Sequence, residues 1–143
     1  MNLYTKDYLL DGKIIYFQPK DGYRSGIEPI ILASKAKASD LNILDLGAGC
    51  GPISLIVAYR FPKSSIVGIE KNNIHYNLAL RNKEENNFIN LEYFNKDIGQ
   101  LYGQFDNYFD LILTNPPFFF ENTVIKSSNL SIRDAKYISK KKL

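Results

Sequence analysis

The stretch Leu44-Asp45-Leu46-Gly47-Ala48-Gly49-Cys50-Gly51 is the strongest indication of the fold of this chain. It ends a largely apolar run that begins at Leu41, and it leads into a second apolar run over residues 53–58. This pattern predicts a buried strand, a glycine turn and a helix. Glycines between a strand and a helix let a ligand approach the backbone where a side chain would block it, although a purely structural turn has the same pattern.

Strand and helix patterns alternate on both sides of this turn. The predicted strands cover residues 42–46, 65–69, 89–94 and 108–113. The predicted helices cover residues 28–37, 52–61 and 74–85. Such alternation implies right-handed crossovers, so we predict an α/β fold in which a parallel sheet carries helices on both faces.

The N-terminal region precedes this alternation. Apolar and aromatic residues on either side of Asp11-Gly12 predict a short hairpin within residues 1–18. The first helix opens at Glu28-Pro29, with proline in the first turn, and its buried face is predicted to hold Ile27, Ile30 and Ile31.

The pattern fades after Phe120. Residues 121–143 are polar, with a weak helical signal over 131–138. The interpretation is one domain with three parts. They are an N-terminal hairpin and helix (1–40), a ligand-binding core (41–120) and a polar tail (121–143).

Composition excludes several classes of protein. The chain has 143 residues, is 45% hydrophobic and 23% charged, and carries a net charge of +3 that permits nucleic-acid binding without arguing for it. Its apolar stretches are too short to span a bilayer, so a cytoplasmic protein is expected. With Cys50 as the one cysteine and His75 as the one histidine, a zinc site is not expected, and His75 is predicted to be exposed on its helix.

Polar residues follow the second, third and fourth predicted strands. Glu70 follows the second strand, Asp97 follows the third, and Asn115-Pro116-Pro117-Phe118 follows the fourth. In open α/β sheets, ligands bind beyond the carboxyl ends of the strands. These residues and the glycine turn are therefore predicted to line one site. A nicotinamide enzyme would have Gly-x-Gly-x-x-Gly in the turn and gives no reason for the Asn-Pro-Pro-Phe sequence.

This combination resembles the Rossmann-like methyltransferases that depend on S-adenosylmethionine (AdoMet), and more narrowly those that methylate a planar amino nitrogen. The segment Gln18 to Ala33, with its Gly22-Tyr23-Arg24 run, is similar to the region before the glycine turn in bacterial tRNA adenine-N6 methyltransferases of the valine-tRNA type. In such enzymes it helps to close the cofactor pocket. The fold of that family continues with further strands, so we expect the C-terminal strands to be missing here. An open edge at the fourth strand would then favour self-association.

The resemblance implies a cofactor site for AdoMet without a metal ion. Gly47, Gly49 and Gly51 would let the backbone approach the methionine part of AdoMet. Asp45 would orient the turn or reach the amino group through water.

The nucleoside part of AdoMet is assigned in the same way. Glu70 would accept hydrogen bonds from the ribose hydroxyls, as suits an acceptor-only carboxylate. Asp97 would accept from the adenine amino group, and Ile98 would pack on the ring.

The resemblance also implies the residues that hold the methyl acceptor. The Asn115 side chain and the Pro116 carbonyl would accept hydrogens from one amino group, and Asn115 would also border the cofactor. Pro117 stiffens the turn, and Phe118 would stack on the flat substrate. The motif serves adenine N6, cytosine N4, guanine N2 and glutamine alike.

Adenine N6 in tRNA is the leading interpretation of the substrate. An rRNA guanine N2 or a protein glutamine is the alternative within enzymes, and a non-catalytic remnant that binds AdoMet or nothing is the alternative outside them. An adenine in RNA must be splayed out to reach such a pocket. Candidate RNA-backbone contacts are Lys20, Arg24, Lys126, Arg133 and Lys136.

Overall fold

The computed structural model describes residues 3–101, 103 and 105–116, together with the backbone of 119–120 and 137–138. The elements in chain order are β1 (Tyr4–Leu9), β2 (Ile14–Pro19), α1 (Glu28–Ala33), β3 (Asn42–Leu46), α2 (Pro52–Arg60), β4 (Ser65–Ile69), α3 (Asn73–Glu85), β5 (Leu91–Phe94), a 3-10 helix (Ile98–Gln100), β6 (Leu111–Thr114), β7 (Phe119–Phe120) and β8 (Tyr137–Ile138).

The central sheet has the order β5-β4-β3-β6, and all its strands are parallel, as predicted. Leu46 lies beside Ile69 on one side and beside Thr114 on the other, and Ile69 lies beside Phe94. The four strands therefore end level with one another. The residues that follow them emerge along one edge of the sheet.

Each face of the sheet carries its own hydrophobic cluster. Ile43, Ile66 and Leu91 belong to the cluster that includes side chains of all three α-helices. Leu44, Val67 and Ile69 point to the opposite face, where Leu101, Phe105 and Phe109 partly cover them. Among the described residues, this second face is thus covered by the 3-10 helix segment and the turns after it, where the sequence predicted helices on both faces.

The predicted N-terminal hairpin is confirmed, and it is fixed to α3 by two asparagines. The Asn82 Oδ1 accepts the Phe17 N–H at 2.6 Å, and its Nδ2 donates to the Phe17 carbonyl at 2.9 Å. One turn later, the Asn86 Oδ1 accepts the Ile15 N–H at 2.8 Å, and its Nδ2 donates to the Ile15 carbonyl at 2.7 Å. This asparagine pair bonds to alternate residues of β2, much as a neighbouring strand would.

The first helix differs from its prediction in length and in orientation. It ends at Ala33 rather than at Lys37. Pro29 and Ala33 are its buried residues, whereas Ile27, Ile30 and Ile31 are exposed. The predicted face was wrong because α1 packs closely against α2, where the Arg60 guanidinium donates to the Ala33 carbonyl at 2.8 Å. Small residues suit that approach better than isoleucines.

The prediction for His75 was also wrong, since only 7% of this residue is exposed. The buried residues of α3 are His75, Leu78, Ala79 and Asn82. Their spacing is i, i+3, i+4 and i+7, which is the pattern of one helix face. Because the first and last residues of this set, His75 and Asn82, are polar, hydrophobicity alone did not predict the buried face.

The remaining differences concern strand limits. The third strand of the sheet begins at Leu91 rather than at residue 89, and Ile89 is almost fully exposed. The fourth is Leu111–Thr114 rather than 108–113, because a turn in which Tyr108 N–H donates to the Phe105 carbonyl precedes it. Within the weak helical signal, Tyr137–Ile138 forms a strand that pairs with β7, and residues 131–136 lie outside the described residues.

Candidate active site at the carboxyl edge of the sheet

The glycine turn follows β3 and is tied to the end of β4. The N–H groups of Gly47 and Ala48 both donate to the Ile69 carbonyl at 2.9 Å. Gly47, Gly49 and Gly51 have φ values of 75°, 60° and 86°, a left-handed backbone that favours glycine. The backbone conformation of the turn is therefore by itself a sufficient reason for glycine at these three positions, whether or not a ligand binds there.

The glycines differ in what surrounds them. A Cβ added at Gly47 or Gly49 would meet no atom within 4 Å among the described residues, whereas one at Gly51 would collide with the Tyr93 hydroxyl. Gly51 is buried at the start of α2, so its missing side chain makes room for Tyr93. Gly47 and Gly49 leave open backbone that a ligand can approach.

Glu70 joins the glycine turn to the start of α3. Its Oε2 accepts the Gly49 N–H at 2.8 Å, and its Oε1 accepts the Asn72 N–H at 2.7 Å. Asn72 in turn caps α3, because its side chain accepts from the N–H groups of Ile74 and His75. An ionised carboxylate offers about four lone-pair sites, so Glu70 keeps acceptor capacity for further donors.

Asp45 lies under the turn and is 1% exposed. Its Oδ2 accepts from the Ser54 N–H at 3.1 Å and from the Ser54 hydroxyl. Its Oδ1 is buried and has no hydrogen-bond partner among the described residues. Burial raises the pKa of Asp45 to about 6, with the nearby Glu70 charge adding to the rise and the hydrogen bonds from Ser54 opposing it. Through Ser54, Asp45 orients the first turn of α2 beneath the glycines.

The residues after β5 reach the same edge. The Asp97 Oδ1 accepts the Gly99 N–H at 2.9 Å and caps the 3-10 helix, and Ile98 is half exposed. The Asn95 side chain donates to the Glu70 carbonyl at 2.9 Å. Asp97 and Ile98 thus follow Asn95, whose side chain ties the end of β5 to Glu70.

Asn115 completes the edge after β6. The Thr114 hydroxyl donates to the Leu46 carbonyl at 2.9 Å, which holds the end of β6 against β3. The Asn115 Oδ1 is buried and has no hydrogen-bond partner in the part of the chain that the structure describes. Pro116 is exposed, and Pro117 and Phe118 lie outside the described residues.

The sequence did not predict that Asn115 would meet Tyr23. Tyr23 is half-buried, and its pKa is raised by this burial and by the negative charge of Glu28, while a hydrogen bond from the Asn115 side chain acts in the opposite direction. The region before the glycine turn therefore lies near the Asn-Pro motif. The resemblance of Gln18 to Ala33 to a pocket-closing segment was the signal that could have suggested it.

Tyr23 sits in a loop, residues 20–26, that is bonded to the hairpin. The Ser25 N–H donates to the Gln18 Oε1 at 3.0 Å, and the Ser25 hydroxyl pairs with the Tyr16 hydroxyl at 2.7 Å. Arg24 forms an ion pair with Asp7 at 3.0 Å. We call residues 20–26 the Tyr23 loop.

The same bonds bear on the candidate RNA contacts. Partial burial acts to raise the pKa of Asp7, but hydrogen bonds from Gln18 and Thr5 and the Arg24 charge lower it below its usual range. Arg24 is therefore engaged within the fold, while Lys20 is exposed. Lys126, Arg133 and Lys136 lie outside the described residues.

Within residues 3–101, 103 and 105–116, there is no group of three or more His, Cys, Asp or Glu side chains placed to hold a metal ion. None of the helices in the described part of the chain is long and apolar enough to cross a membrane.

The sheet order and the site at its carboxyl edge define the chain as a Rossmann-like protein of the methyltransferase type. Residues 29–136 match the family model for the methyltransferase small domain. This match covers more than half of the chain, and the chain belongs to that family. A solved SAM-dependent methyltransferase from Agrobacterium tumefaciens shares the fold, with a TM-score of 0.64, 16% identity, and coverage of 83% of this chain and 41% of that one.

Two relatives of this chain are named for different substrates of their own. A tRNA1(Val) (adenine(37)-N6)-methyltransferase from the Flavobacteriaceae bacterium strain 3519-10 is 35% identical over 112 residues, which are 73% of this chain and 46% of the relative. A release factor glutamine methyltransferase from Fusobacterium nucleatum is 40% identical over 79 residues, which are 54% of this chain and 22% of the relative. The chain thus spans less than half the length of either relative.

Proposed function

We propose that this chain forms the AdoMet-binding part of a methyltransferase that acts on the N6 amino group of adenine in tRNA, of the valine-tRNA type. The observation that carries the proposal is the buried Asn115 Oδ1, which lacks a partner among the described residues at the carboxyl edge of the sheet. A buried acceptor without a partner costs about 1–3 kcal/mol. An unpartnered acceptor of this kind is explained where a bound ligand supplies the missing donor.

The open side of the glycine turn supports AdoMet as the cofactor. The backbone at Gly47 and Gly49 would receive the methionine part, since no side chain fills the space above it. Gly51 would support the turn by packing against Tyr93. Asp45 would hold the turn through Ser54, and its unpartnered Oδ1 would suit the cationic amino group of AdoMet through water.

The nucleoside of AdoMet would lie along the next two strands. Glu70 would accept from the ribose hydroxyls with its remaining lone pairs, Asp97 would accept from the adenine amino group, and Ile98 would cover the ring. Bound AdoMet supplies the methyl group as part of a sulfonium.

The remaining part of the edge would hold the methyl acceptor. The Asn115 Oδ1 and the Pro116 carbonyl would each accept one hydrogen of the substrate amino group. This arrangement orients the amino group and opposes delocalisation of its lone pair into the ring. Positioning of this kind accounts for much of the rate in group transfer. Pro117 and Phe118 keep their predicted roles as a stiff turn and a stacking surface.

Two observations favour tRNA adenine over the alternatives. The relative named for tRNA1(Val) adenine aligns with 73% of the chain, whereas the glutamine methyltransferase aligns with 54%. Tyr23, which lies in the segment that resembles the tRNA enzymes, is also near enough to Asn115 for the amide to act on the pKa of Tyr23. A cytoplasmic location would follow from a tRNA substrate, and β6, an edge strand of the four-stranded sheet, would be the site of any self-association.

Transfer of labelled methyl groups from AdoMet tests the proposal. The chain is incubated with tRNA, rRNA or a release factor, and labelled nucleosides or residues are identified after digestion. We expect label in tRNA adenine, and a loss of about 100-fold in the rate for Asn115→Ala, comparable to the removal of one transition-state hydrogen bond. The exposed Asn77 on α3 offers a matched control, Asn77→Ala.

The alternatives have distinct outcomes. Label in rRNA guanine or in protein glutamine, but not in tRNA, would contradict the tRNA substrate and support the alternative one. An absence of transfer, with Asn115→Ala indistinguishable from the parent, would leave a non-catalytic protein. A melting temperature that rises with AdoMet would then separate a protein that binds AdoMet from one that does not, because a ligand at 100 times its Kd stabilises the folded state by about 2.7 kcal/mol.

A further inference from the structure

The Asn82 side chain joins two parts of the molecule that lie far apart in sequence. Its Oδ1 accepts the Phe17 N–H at 2.6 Å, and its Nδ2 donates to the Phe17 carbonyl at 2.9 Å. The same Nδ2 also donates to the Cys50 carbonyl at 2.9 Å. One carboxamide therefore binds β2 of the hairpin and the glycine turn at the same time.

The chemistry of this amide makes the link specific. A carboxamide nitrogen carries two hydrogens, and here each hydrogen is donated to a different carbonyl, one of Phe17 and one of Cys50. Asn82 is fully buried, and Phe17 and Cys50 are buried as well. A buried carbonyl that loses its donor carries a free-energy cost, since solvent does not readily replace the bond. The hairpin and the turn therefore keep one fixed separation as long as both bonds are made.

The Cys50 end of the link lies inside the glycine turn. Cys50 follows Gly49, whose backbone is open to a ligand. It precedes Gly51, whose N–H donates to the Ala48 carbonyl at 2.9 Å. The peptide bond between Cys50 and Gly51 is thus held at its oxygen by the amide and at its nitrogen by the turn itself. Loss of the amide would free one side of this peptide bond, next to the open backbone.

The Phe17 end of the link leads to the Tyr23 loop. Both neighbours of Phe17 in β2 bond to the loop at Ser25. The Gln18 Oε1 accepts the Ser25 N–H at 3.0 Å, and the Tyr16 hydroxyl pairs with the Ser25 hydroxyl at 2.7 Å. The amide thus connects this loop with the glycine turn through a short series of hydrogen bonds.

Asn86 makes the same pair of bonds to the hairpin but none to the glycine turn. Its Oδ1 accepts the Ile15 N–H at 2.8 Å, and its Nδ2 donates to the Ile15 carbonyl at 2.7 Å. The other hydrogen of its Nδ2 goes to the backbone carbonyl of Asn82 at 2.7 Å, within the same helix. Both asparagines hold the hairpin, and the bond to Cys50 is what distinguishes Asn82 from Asn86.

We propose that Asn82 is a positioning residue for the cofactor. Its amide holds the glycine turn in the conformation that receives AdoMet and ties this turn to the hairpin. Binding of AdoMet and docking of the hairpin on α3 therefore strengthen each other, because such a coupling is reciprocal. This inference rests on the proposed function, since it requires AdoMet to lie on the glycine turn.

Calorimetric titration of AdoMet into the full chain tests the inference. We expect Asn82→Ala to raise the Kd for AdoMet about tenfold, as loss of one ordinary hydrogen bond predicts. Asn86→Ala is the matched control, because it also loosens the hairpin but leaves the Cys50 carbonyl bonded, and its Kd should equal that of the parent. A merely structural role would lower the melting temperature of both variants and leave both Kd values unchanged, because the titration reports on folded protein.

Nuclear magnetic resonance on the parent provides a second measurement, which applies even if Asn82→Ala does not fold. The Nδ2 hydrogens of Asn82 and Asn86 are assigned through their correlation with the Cβ of the same residue. We expect saturating AdoMet to shift the Asn82 hydrogen that is bonded to Cys50 and to slow its exchange with solvent. The Nδ2 signals of Asn86 should keep their positions.

The outcomes separate this inference from the proposed function. If AdoMet binds to the parent without changing the Asn82 signals, the positioning role is overturned. If Asn82→Ala and Asn86→Ala bind AdoMet equally well, it is overturned too. If the parent binds AdoMet but transfers no methyl group to tRNA, the substrate in the proposed function is wrong, and the titrations still decide the role of Asn82. If the parent binds no AdoMet, the proposed function and the inference both fail.

Discussion

Buried polar side chains are fully hydrogen-bonded where the hairpin meets α3, but at the carboxyl edge of the sheet some of their oxygens are not. Where the hairpin meets α3, Asn82 is fully buried and bonds to both backbone groups of Phe17 and to the Cys50 carbonyl. At the carboxyl edge, Asp45 and Asn115 each keep a buried oxygen without a partner among the described residues. One region satisfies its polar groups, and the other leaves acceptors unused.

The difference separates a structural site from a binding site. Buried polar groups that are fully bonded stabilise one arrangement of the chain, whereas unbonded ones destabilise it unless a ligand completes them. The glycine turn belongs to both regions, since Cys50 accepts from Asn82 while the Gly49 N–H donates to Glu70. Three experiments test this difference between the two regions.

The largest effect is expected for Asn82→Ala. The change leaves the N–H and carbonyl of Phe17 and the carbonyl of Cys50 without their partner in a buried place. Each buried group left unsatisfied costs about 1–3 kcal/mol, so we expect the free energy of unfolding to fall by about 4 kcal/mol. Chemical denaturation measures this fall, and Asn77→Ala on the exposed side of α3 is the matched control. A loss below about 1 kcal/mol would show that the asparagine pair does not hold the hairpin.

A smaller effect, which depends on pH, is expected at Asp45. Because burial raises its folded-state pKa from 3.8 to about 6, the folded chain binds this proton more tightly than the unfolded chain. The contribution of Asp45 to the free energy of unfolding therefore falls as the pH rises from about 4 to about 6, by about 3 kcal/mol in total. Asp45→Asn removes this titration.

Denaturation of the parent and of Asp45→Asn across pH 4 to 7 provides the measurement. The stability of the variant relative to the parent should rise through this range and level off above pH 6. A variant of the exposed Asp106, Asp106→Asn, corrects for the general loss of one carboxylate. A difference that is constant with pH would contradict the burial of an unpartnered Asp45 oxygen.

The smallest effect compares two glycines of the same turn. Gly49→Ala and Gly51→Ala share the strain of a left-handed backbone, about 1 kcal/mol each. Gly51→Ala also collides with Tyr93, so it should cost about 2 kcal/mol more. Gly49→Ala should weaken AdoMet binding more than stability, as calorimetric titration and thermal denaturation would show. Equal losses of stability in Gly49→Ala and Gly51→Ala would mean that the space next to Gly49 is filled, as it is next to Gly51.

Local sequence patterns were sufficient for the main elements. Strands 42–46 and 65–69 were predicted with their observed limits, because largely apolar runs end there at glycine or at an acidic residue. The positions of Glu70 and Asn115 after parallel strands followed from the same alternation. The side chains that join distant elements were not predicted, and Asn82 was among them. Its spacing with Leu78 and Ala79 was visible, but nothing local distinguishes a buried asparagine from an exposed one.

Periodicity and strand order act over short distances along the chain, so sequence patterns were enough to predict the parallel sheet, the glycine turn and the edge at which polar residues gather. Contacts between distant elements set which face of α1 is buried, that His75 is inside, and that Asn82 bonds to Phe17. These features depend on the closeness of two elements far apart in sequence. Burial, hydrogen bonding and pKa are set by such neighbours, so they appear only after the chain has folded.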